Sequence, residues 1–183
     1  HSCAGQVLTM FAAQHADRLR GLVYLDGASD PTLTAADVGS PMPDLATLPR
    51  PISERRERNW DFPEAVKREQ LDPVIRKAIT VDARMKPDYA RVRVPVLAIY
   101  QAQRPLEDVA AGYAIRNDQE RAALRQEYAA TRALYTRWQQ DLRAAVPTAR
   151  IVELTGANLF MFLSNEADVL REIRAFAATL SSQ

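Results

Sequence analysis

Apolar residues alternate along this chain between helical spacing and short uninterrupted runs. Helical spacing predicts three helices, at 4–15, at 117–145 and from Asn165 to about residue 180. Uninterrupted apolar runs predict three buried strands, at 21–25, 94–100 and 151–154. Strands that alternate with helices are typical of a parallel sheet. The pattern therefore predicts an α/β architecture in which helices flank that sheet.

The ends of the predicted helices carry the residue types that begin helices. Asn117 or Asp118 is expected to cap the long helix, which contains neither Pro nor Gly. Asn165 is expected to cap the last one. The apolar face of this last helix is predicted to consist of Val169, Leu170, Ile173 and Phe176.

The segment 29–93 contains no strong strand pattern. Its first part, up to about residue 51, is rich in Pro, Asp, Ser and Thr, and is expected to be irregular. Charged amphipathic stretches at 53–59 and 63–83 predict short helices. We interpret 29–93 as a cap-like insertion within one domain spanning 1–183. Such an insertion is expected over the carboxyl ends of the strands, where α/β folds place their sites.

Composition narrows the possible functions. The 183 residues carry a net charge of +1, which gives no electrostatic footprint for nucleic acid. No apolar run approaches the ~20 residues of a spanning helix. The single cysteine, Cys3, excludes an internal disulfide and weakly favours a reducing compartment such as the cytoplasm. Two histidines without a cysteine cluster predict no metal site, and no motif predicts a cofactor.

Three motifs carry candidate chemistry. The chain begins His1-Ser2-Cys3-Ala4-Gly5 and continues directly into a predicted helix, as in a nucleophile elbow, where small neighbours permit a sharp turn. The run 22–28 is a strand with Asp26 at its tip, and 156–165 follows the last strand. In this order, the three motifs resemble the elbow, the sixth strand and the loop after the eighth strand of the α/β-hydrolase family. The resemblance covers nearly the whole chain.

The resemblance implies a role for each matching position. Ser2 matches the nucleophile, and the backbone N–H of Cys3 matches one donor of the oxyanion hole. Asp26 is the preferred catalytic acid. Asp108, after the next strand, is the alternative, and Asp30 is a weaker neighbour of Asp26. The family normally has a histidine where this chain has Leu159.

Leucine has no titratable group, so it cannot take the proton of a serine hydroxyl. His1 flanks Ser2, and an elbow is expected to aim its side chain elsewhere. His15 lies thirteen residues beyond Ser2, or roughly 20 Å along a helix. Loss of the base in a serine protease costs on the order of 10⁶ in rate. We therefore expect little or no hydrolytic turnover from this chain.

Two functions stay open at this stage. The first is serine-dependent hydrolysis of an ester or similar bond in a small apolar substrate, impaired here by Leu159. The second is a non-catalytic module that binds a small ligand, in which Leu159 extends an apolar lining. The family has further strands before its elbow, so we expect a truncated domain. An uncovered apolar strand edge at 22–25 would then favour self-association.

Overall fold

A computed structural model describes residues 1–2, 4–43, 85–111 and 115–180. The chain divides into two compact units. Among the described residues, the first unit contains 1–2, 4–32, 85–103 and 135–180, and the second contains 33–43, 104–111 and 115–134. The first unit holds the sheet and the residues that the sequence singles out at its edge.

The sheet has three parallel strands, β1 (Leu22–Leu25), β2 (Val96–Gln101) and β3 (Arg150–Leu154), in the order β1-β2-β3. Leu22 pairs with Val96, and Gln101 pairs with Leu154. This confirms the α/β prediction at the level of a three-stranded parallel sheet flanked by helices. Because the strands are parallel, the segments after β1, β2 and β3 all leave from one edge.

Helices cover both faces of the sheet. Alternate residues of β2 point to opposite faces, so this strand contributes to two separate cores. One core joins β1 and β2 to α1 (Ala4–Gln14) and to the end of the long helix α3 (Asp118–Ala145). The other core joins β2 and β3 to α5 (Glu166–Leu180). A strand buried on both faces explains why β2 is a continuous apolar run.

The predicted helices at 4–15, 117–145 and 165–180 are confirmed to within one residue at each end. The backbone carbonyl of Asn165 accepts the first helical bond of α5, from Val169 N. One face assignment is wrong. Val169 and Phe176 are buried, but Leu170 is 38% exposed, because the buried stripe of α5 is narrower than the apolar pattern indicates.

The apolar spacing of the sequence did not predict the short helices. They are α2 (Leu106–Ala111), α4 (Met161–Ser164) and two 3₁₀ turns at Ala16–Arg18 and Tyr89–Arg91. Each is too brief to show a periodic apolar stripe. Residues 29–43 contain turns but no helix or strand, as predicted, and the helices predicted at 53–59 and 63–83 lie outside the described residues. The proposed extent of the insertion stays a prediction.

The start of α3, in the second unit, is held by two hydrogen bonds between side chains and the backbone. The side-chain oxygen of Asn117 accepts from Glu120 N at 2.8 Å, and a Glu120 carboxylate oxygen accepts from Arg116 N at 2.6 Å. The Glu120 side chain is buried. The Asn117 bond is a side-chain N-cap, which satisfies a backbone donor that the first turn of a helix leaves unpaired, and the Glu120 bond ties the residue before the cap to the same turn. Of the two candidate caps, Asn117 therefore makes the capping bond.

Replacing Asn117 with alanine is expected to destabilise the chain by about 1 kcal/mol, because the N–H of Glu120 then loses its acceptor. The measurement is urea unfolding followed by circular dichroism. Asn117→Ser keeps an oxygen at the cap and is expected to stay close to wild type. Equal losses in the two variants would contradict a capping role for Asn117.

Within the described residues, no helix is both long and apolar enough to cross a lipid bilayer.

Candidate active site

Ser2 occupies a strained turn between the sheet edge and α1. Its φ is +53°, a left-handed conformation that is uncommon for a residue with a side chain. Its backbone N–H donates to Leu25 O, the last carbonyl of β1, at 3.2 Å, and its own carbonyl accepts from Gly5 N at 2.9 Å. Through these two hydrogen bonds, Ser2 links the end of β1 to the first turn of α1.

Two glycines allow this turn to lie against the chain after β1. A Cβ atom at Gly5 would lie 1.6 Å from Gly27 O, far inside any possible contact distance. A Cβ atom at Gly27 would lie 3.1 Å from Ser2 O. The backbones of α1 and of the segment after β1 thus touch, and at Gly5 nothing larger than hydrogen fits.

Asp26 follows β1 immediately and is the second residue with a side chain in a left-handed conformation, at φ +47°. Its Oδ2 accepts from Gln101 Nε2 at 2.9 Å and from the Tyr135 hydroxyl at 3.2 Å. Its Oδ1 is buried and has no hydrogen-bond partner within the described part of the chain. Both bonds therefore converge on one carboxylate oxygen and leave the other unsatisfied.

This environment shifts the acidity of Asp26. Burial raises its pKa from 3.8 to about 6, because loss of water disfavours the charged carboxylate. The hydrogen bonds from Tyr135 and Gln101 act in the opposite direction and only partly offset the burial. The charge of Asp26 in turn contributes to raising the pKa of the Tyr135 hydroxyl, although burial is again the larger cause.

Four further side chains fix the path of the chain just after Asp26. The Tyr100 hydroxyl donates to Ala28 O at 2.7 Å, and the Tyr89 hydroxyl donates to Ser29 O at 3.3 Å. Two other elements contribute as well: Gln6 Nε2 of α1 donates to Ser29 O at 3.0 Å, and Trp138 Nε1 of α3 donates to Asp30 O at 3.1 Å. Because these four hydrogen bonds hold the backbone of residues 28–30, the surrounding structure maintains the strained conformation of Asp26.

Residue 159 is bound to the turn at residues 1–2 through its backbone carbonyl. His1 Nε2 donates to Leu159 O at 2.7 Å, and the His1 ring packs against Phe160 and Phe162 with centroids 5.7 and 5.2 Å apart. His1 precedes Ser2, whose N–H binds the end of β1, and Leu159 belongs to the loop after β3, so the hydrogen bond joins the segments at the carboxyl ends of these two strands. Residues at 2, 26 and 159 therefore meet at the same edge of the sheet.

The other sequence candidates have different surroundings. Asp30 is buried, and its Oδ1 accepts from the backbone N–H and hydroxyl of Thr32, which is a local turn arrangement. Asp108 is exposed on α2 in the second unit. His15 follows the end of α1, where its ring packs against Phe11. Cys3 lies outside the described residues, so its N–H stays a predicted oxyanion donor.

Sequence reasoning missed Gln101 and Tyr135 as partners of Asp26. Gln101 could have been found, because it ends the strand next to β1 and carboxyl ends of adjacent parallel strands lie side by side. Tyr135 could not have been identified in this way, since it lies in the middle of a long helix, where an aromatic side chain is usually a packing residue. Its ring contacts with Tyr100 and Trp138 are indeed packing contacts, and only its hydroxyl reaches the carboxylate.

Comparison with protein-family models, curated proteins and solved structures finds no match for this chain. The described residues contain no cluster of three or more His, Cys, Asp or Glu side chains that could hold a metal ion.

Proposed function

We propose that the carboxyl edge of this sheet is a serine-hydrolase site of the α/β-hydrolase type in which the general base has been replaced. Ser2 is the nucleophile, Asp26 is the acid and Leu159 occupies the position of the base. The observation that carries this proposal is the pairing of two strained residues, Ser2 and Asp26, beside a loop that brings residue 159 to the elbow. Strained backbone at one edge is typical of functional sites.

The chemistry follows from the residue types. In an intact site, the serine oxygen attacks a substrate carbonyl while an imidazole removes its proton and then protonates the leaving group. An acid at the position of Asp26 would orient that imidazole and stabilise its charged form. Here the nucleophile and the acid are present, but Leu159 can neither accept nor return a proton. We infer an ester-hydrolase geometry that has lost most of its turnover.

Leu159→His tests this proposal in the full chain. A general base contributes about 10²–10⁴ in rate, so kcat/KM for a short-chain p-nitrophenyl ester is expected to rise by that factor over wild type. Leu159→Gln is the matched control, because it adds a polar side chain of similar size that cannot act as a base. The gain is expected to disappear in the double variant Ser2→Ala/Leu159→His.

A second variant tests the same proposal if the histidine side chain disturbs the loop after β3. Leu159→Ala removes side-chain volume, and added imidazole is then expected to raise ester hydrolysis in a concentration-dependent way. A fluorophosphonate probe is expected to label Ser2 under the same conditions. Folded variants that show neither hydrolysis nor labelling, with histidine or with imidazole, would overturn the proposal.

A non-catalytic binding function is the second candidate, and one observation favours it. The rings of Phe160 and Phe162 pack against His1, so an aromatic surface adjoins Ser2, and the Phe162 ring is partly exposed. Binding of a small apolar ligand without labelling of Ser2 would favour this function. In that case, the wild-type chain is expected to bind a fluorescent apolar probe and to show no reaction with the fluorophosphonate. The Phe162→Ser variant is expected to bind the fluorescent probe more weakly.

A further inference from the structure

The Asp26 carboxylate takes part in a closed set of three hydrogen bonds. Gln101 Nε2 carries two hydrogens. It donates to Asp26 Oδ2 at 2.9 Å and to the Tyr135 hydroxyl oxygen at 2.9 Å, while that hydroxyl donates to Oδ2 at 3.2 Å. Each donor thereby finds an acceptor. The three residues come from three elements, namely the end of β1, the last residue of β2 and α3.

The same set leaves one acceptor without a donor. Asp26 Oδ1 is buried, so water does not compensate for the missing partner, and no described residue donates to it. A buried carboxylate oxygen in this state is costly. Gln101 and Tyr135 hold the other oxygen, so the carboxylate cannot rotate to share them without breaking both bonds. The hydrogen bonds from Gln101 and Tyr135 to Oδ2 therefore fix the orientation of the unsatisfied oxygen Oδ1.

We propose that Gln101 and Tyr135 are positioning residues, which clamp Asp26 through Oδ2 so that Oδ1 is presented to an N–H donor at the base position, residue 159. This proposal rests on the proposed function, since it assigns a partner to that base. It also accounts for the unsatisfied oxygen. Oδ1 is the acceptor that an imidazole N–H at residue 159 would use, and the leucine side chain offers no hydrogen-bond donor.

A purely structural role is the rival interpretation, in which the hydrogen bonds only tie α3 to the sheet. The two interpretations differ in what happens at the carboxylate. If the clamp presents Oδ1, a new N–H donor at residue 159 changes the ionisation of Asp26. The titratable groups that interact with Asp26 in the described residues, Tyr100 and Tyr135, stay neutral below pH 9, because burial raises the pKa of each hydroxyl. They do not obscure the titration.

The experiment is a ¹³C NMR titration of the Asp26 carboxyl group in the full chain. In Leu159→His, the Asp26 pKa is expected to fall by roughly one unit or more from its wild-type value, because an N–H donor and a positive charge both favour the carboxylate. Tyr135→Phe alone is expected to raise the pKa, since one bond to the charged form is lost. Tyr128→Phe is the control on the same helix. Its hydroxyl donates to Arg104 O at 2.8 Å, so its loss should leave Asp26 unchanged.

The decisive comparison is the double variant Tyr135→Phe/Leu159→His. With the clamp weakened, the fall in the Asp26 pKa caused by histidine is expected to shrink, and any gain in kcat is expected to drop with little change in KM. An Asp26 pKa that is the same in Leu159→His and wild type would overturn this proposal. So would an undiminished response in the double variant.

Failure of the proposed function gives a different result. If histidine lowers the Asp26 pKa but no ester is hydrolysed, the clamp stands and the hydrolase proposal falls. If hydrolysis appears while the Asp26 pKa does not move, the hydrolase proposal stands and the clamp falls.

Discussion

Adding one methyl group at Gly5 is expected to destabilise the chain by about 4 kcal/mol or more, which is exceptional for a change of this size. Glycine to alanine inside a helix ordinarily stabilises, by roughly 0.5–1 kcal/mol, because alanine loses less conformational freedom. At Gly5 the new carbon would lie 1.6 Å from the carbonyl oxygen of Gly27 and 3.1 Å from its Cα. These are backbone atoms, so no side-chain rotation relieves the clash, and α1 must move away from the segment after β1.

Gly21→Ala is the matched control for this prediction. Its new Cβ atom would lie 2.7 Å from a Leu180 methyl carbon and 3.0 Å from the Phe176 ring. These atoms belong to side chains that can shift, so the loss is expected to be smaller. Urea unfolding of both variants measures the difference. Equal stabilities for Gly5→Ala and Gly21→Ala would mean that α1 does not touch Gly27 as described.

The stability of the wild-type chain is expected to contain a component that falls as pH rises from about 4 to 6. The folded state raises the pKa of Asp26 from 3.8 to about 6, so in this range it holds a proton that the unfolded chain has released. The folded state is therefore favoured at low pH, and that advantage is lost as pH passes the folded pKa. A shift of about two units corresponds to up to about 3 kcal/mol.

Asp26→Asn removes this titration. The unfolding free energy of the variant relative to wild type is expected to increase between pH 4 and pH 7 by up to about 3 kcal/mol, as measured by urea unfolding at each pH. Asp37→Asn is the control with the opposite sign. Hydrogen bonds from Thr34 lower the pKa of this exposed carboxyl, so its small contribution is lost as pH falls. Parallel pH curves for wild type and Asp26→Asn would contradict the raised pKa.

The sequence predicted the architecture better than the site. The three strands and three main helices followed from apolar spacing, because a sheet covered on both faces needs continuous apolar runs such as β2. The sharp turn at Ser2 and the helix that follows it also agree with the sequence pattern, and glycine at position 5 leaves room for the close approach of Gly27 O. The order of motifs along the chain likewise led to residues 2, 26 and 159, which the fold brings to one edge.

What the sequence could not indicate depends on contacts between distant segments. The Tyr135 hydroxyl reaches Asp26 across 109 positions, and no local pattern marks that tyrosine among the others. The raised pKa of Asp26 arises from burial by several elements together, so it is a property of the assembled fold. The exposure of Leu170 reflects the limited width of the surface that α5 covers, which spacing alone does not define.

The bond between His1 and Leu159 uses the main-chain carbonyl of residue 159, not its side chain. Any amino acid except one that distorts the backbone offers that same carbonyl, so the docking of the loop does not depend on which residue occupies the position. The position of the loop and the chemistry of the side chain at residue 159 can therefore change independently. A substitution at residue 159 can therefore add or remove a proton acceptor at this edge of the sheet while the main-chain bond that docks the loop is kept.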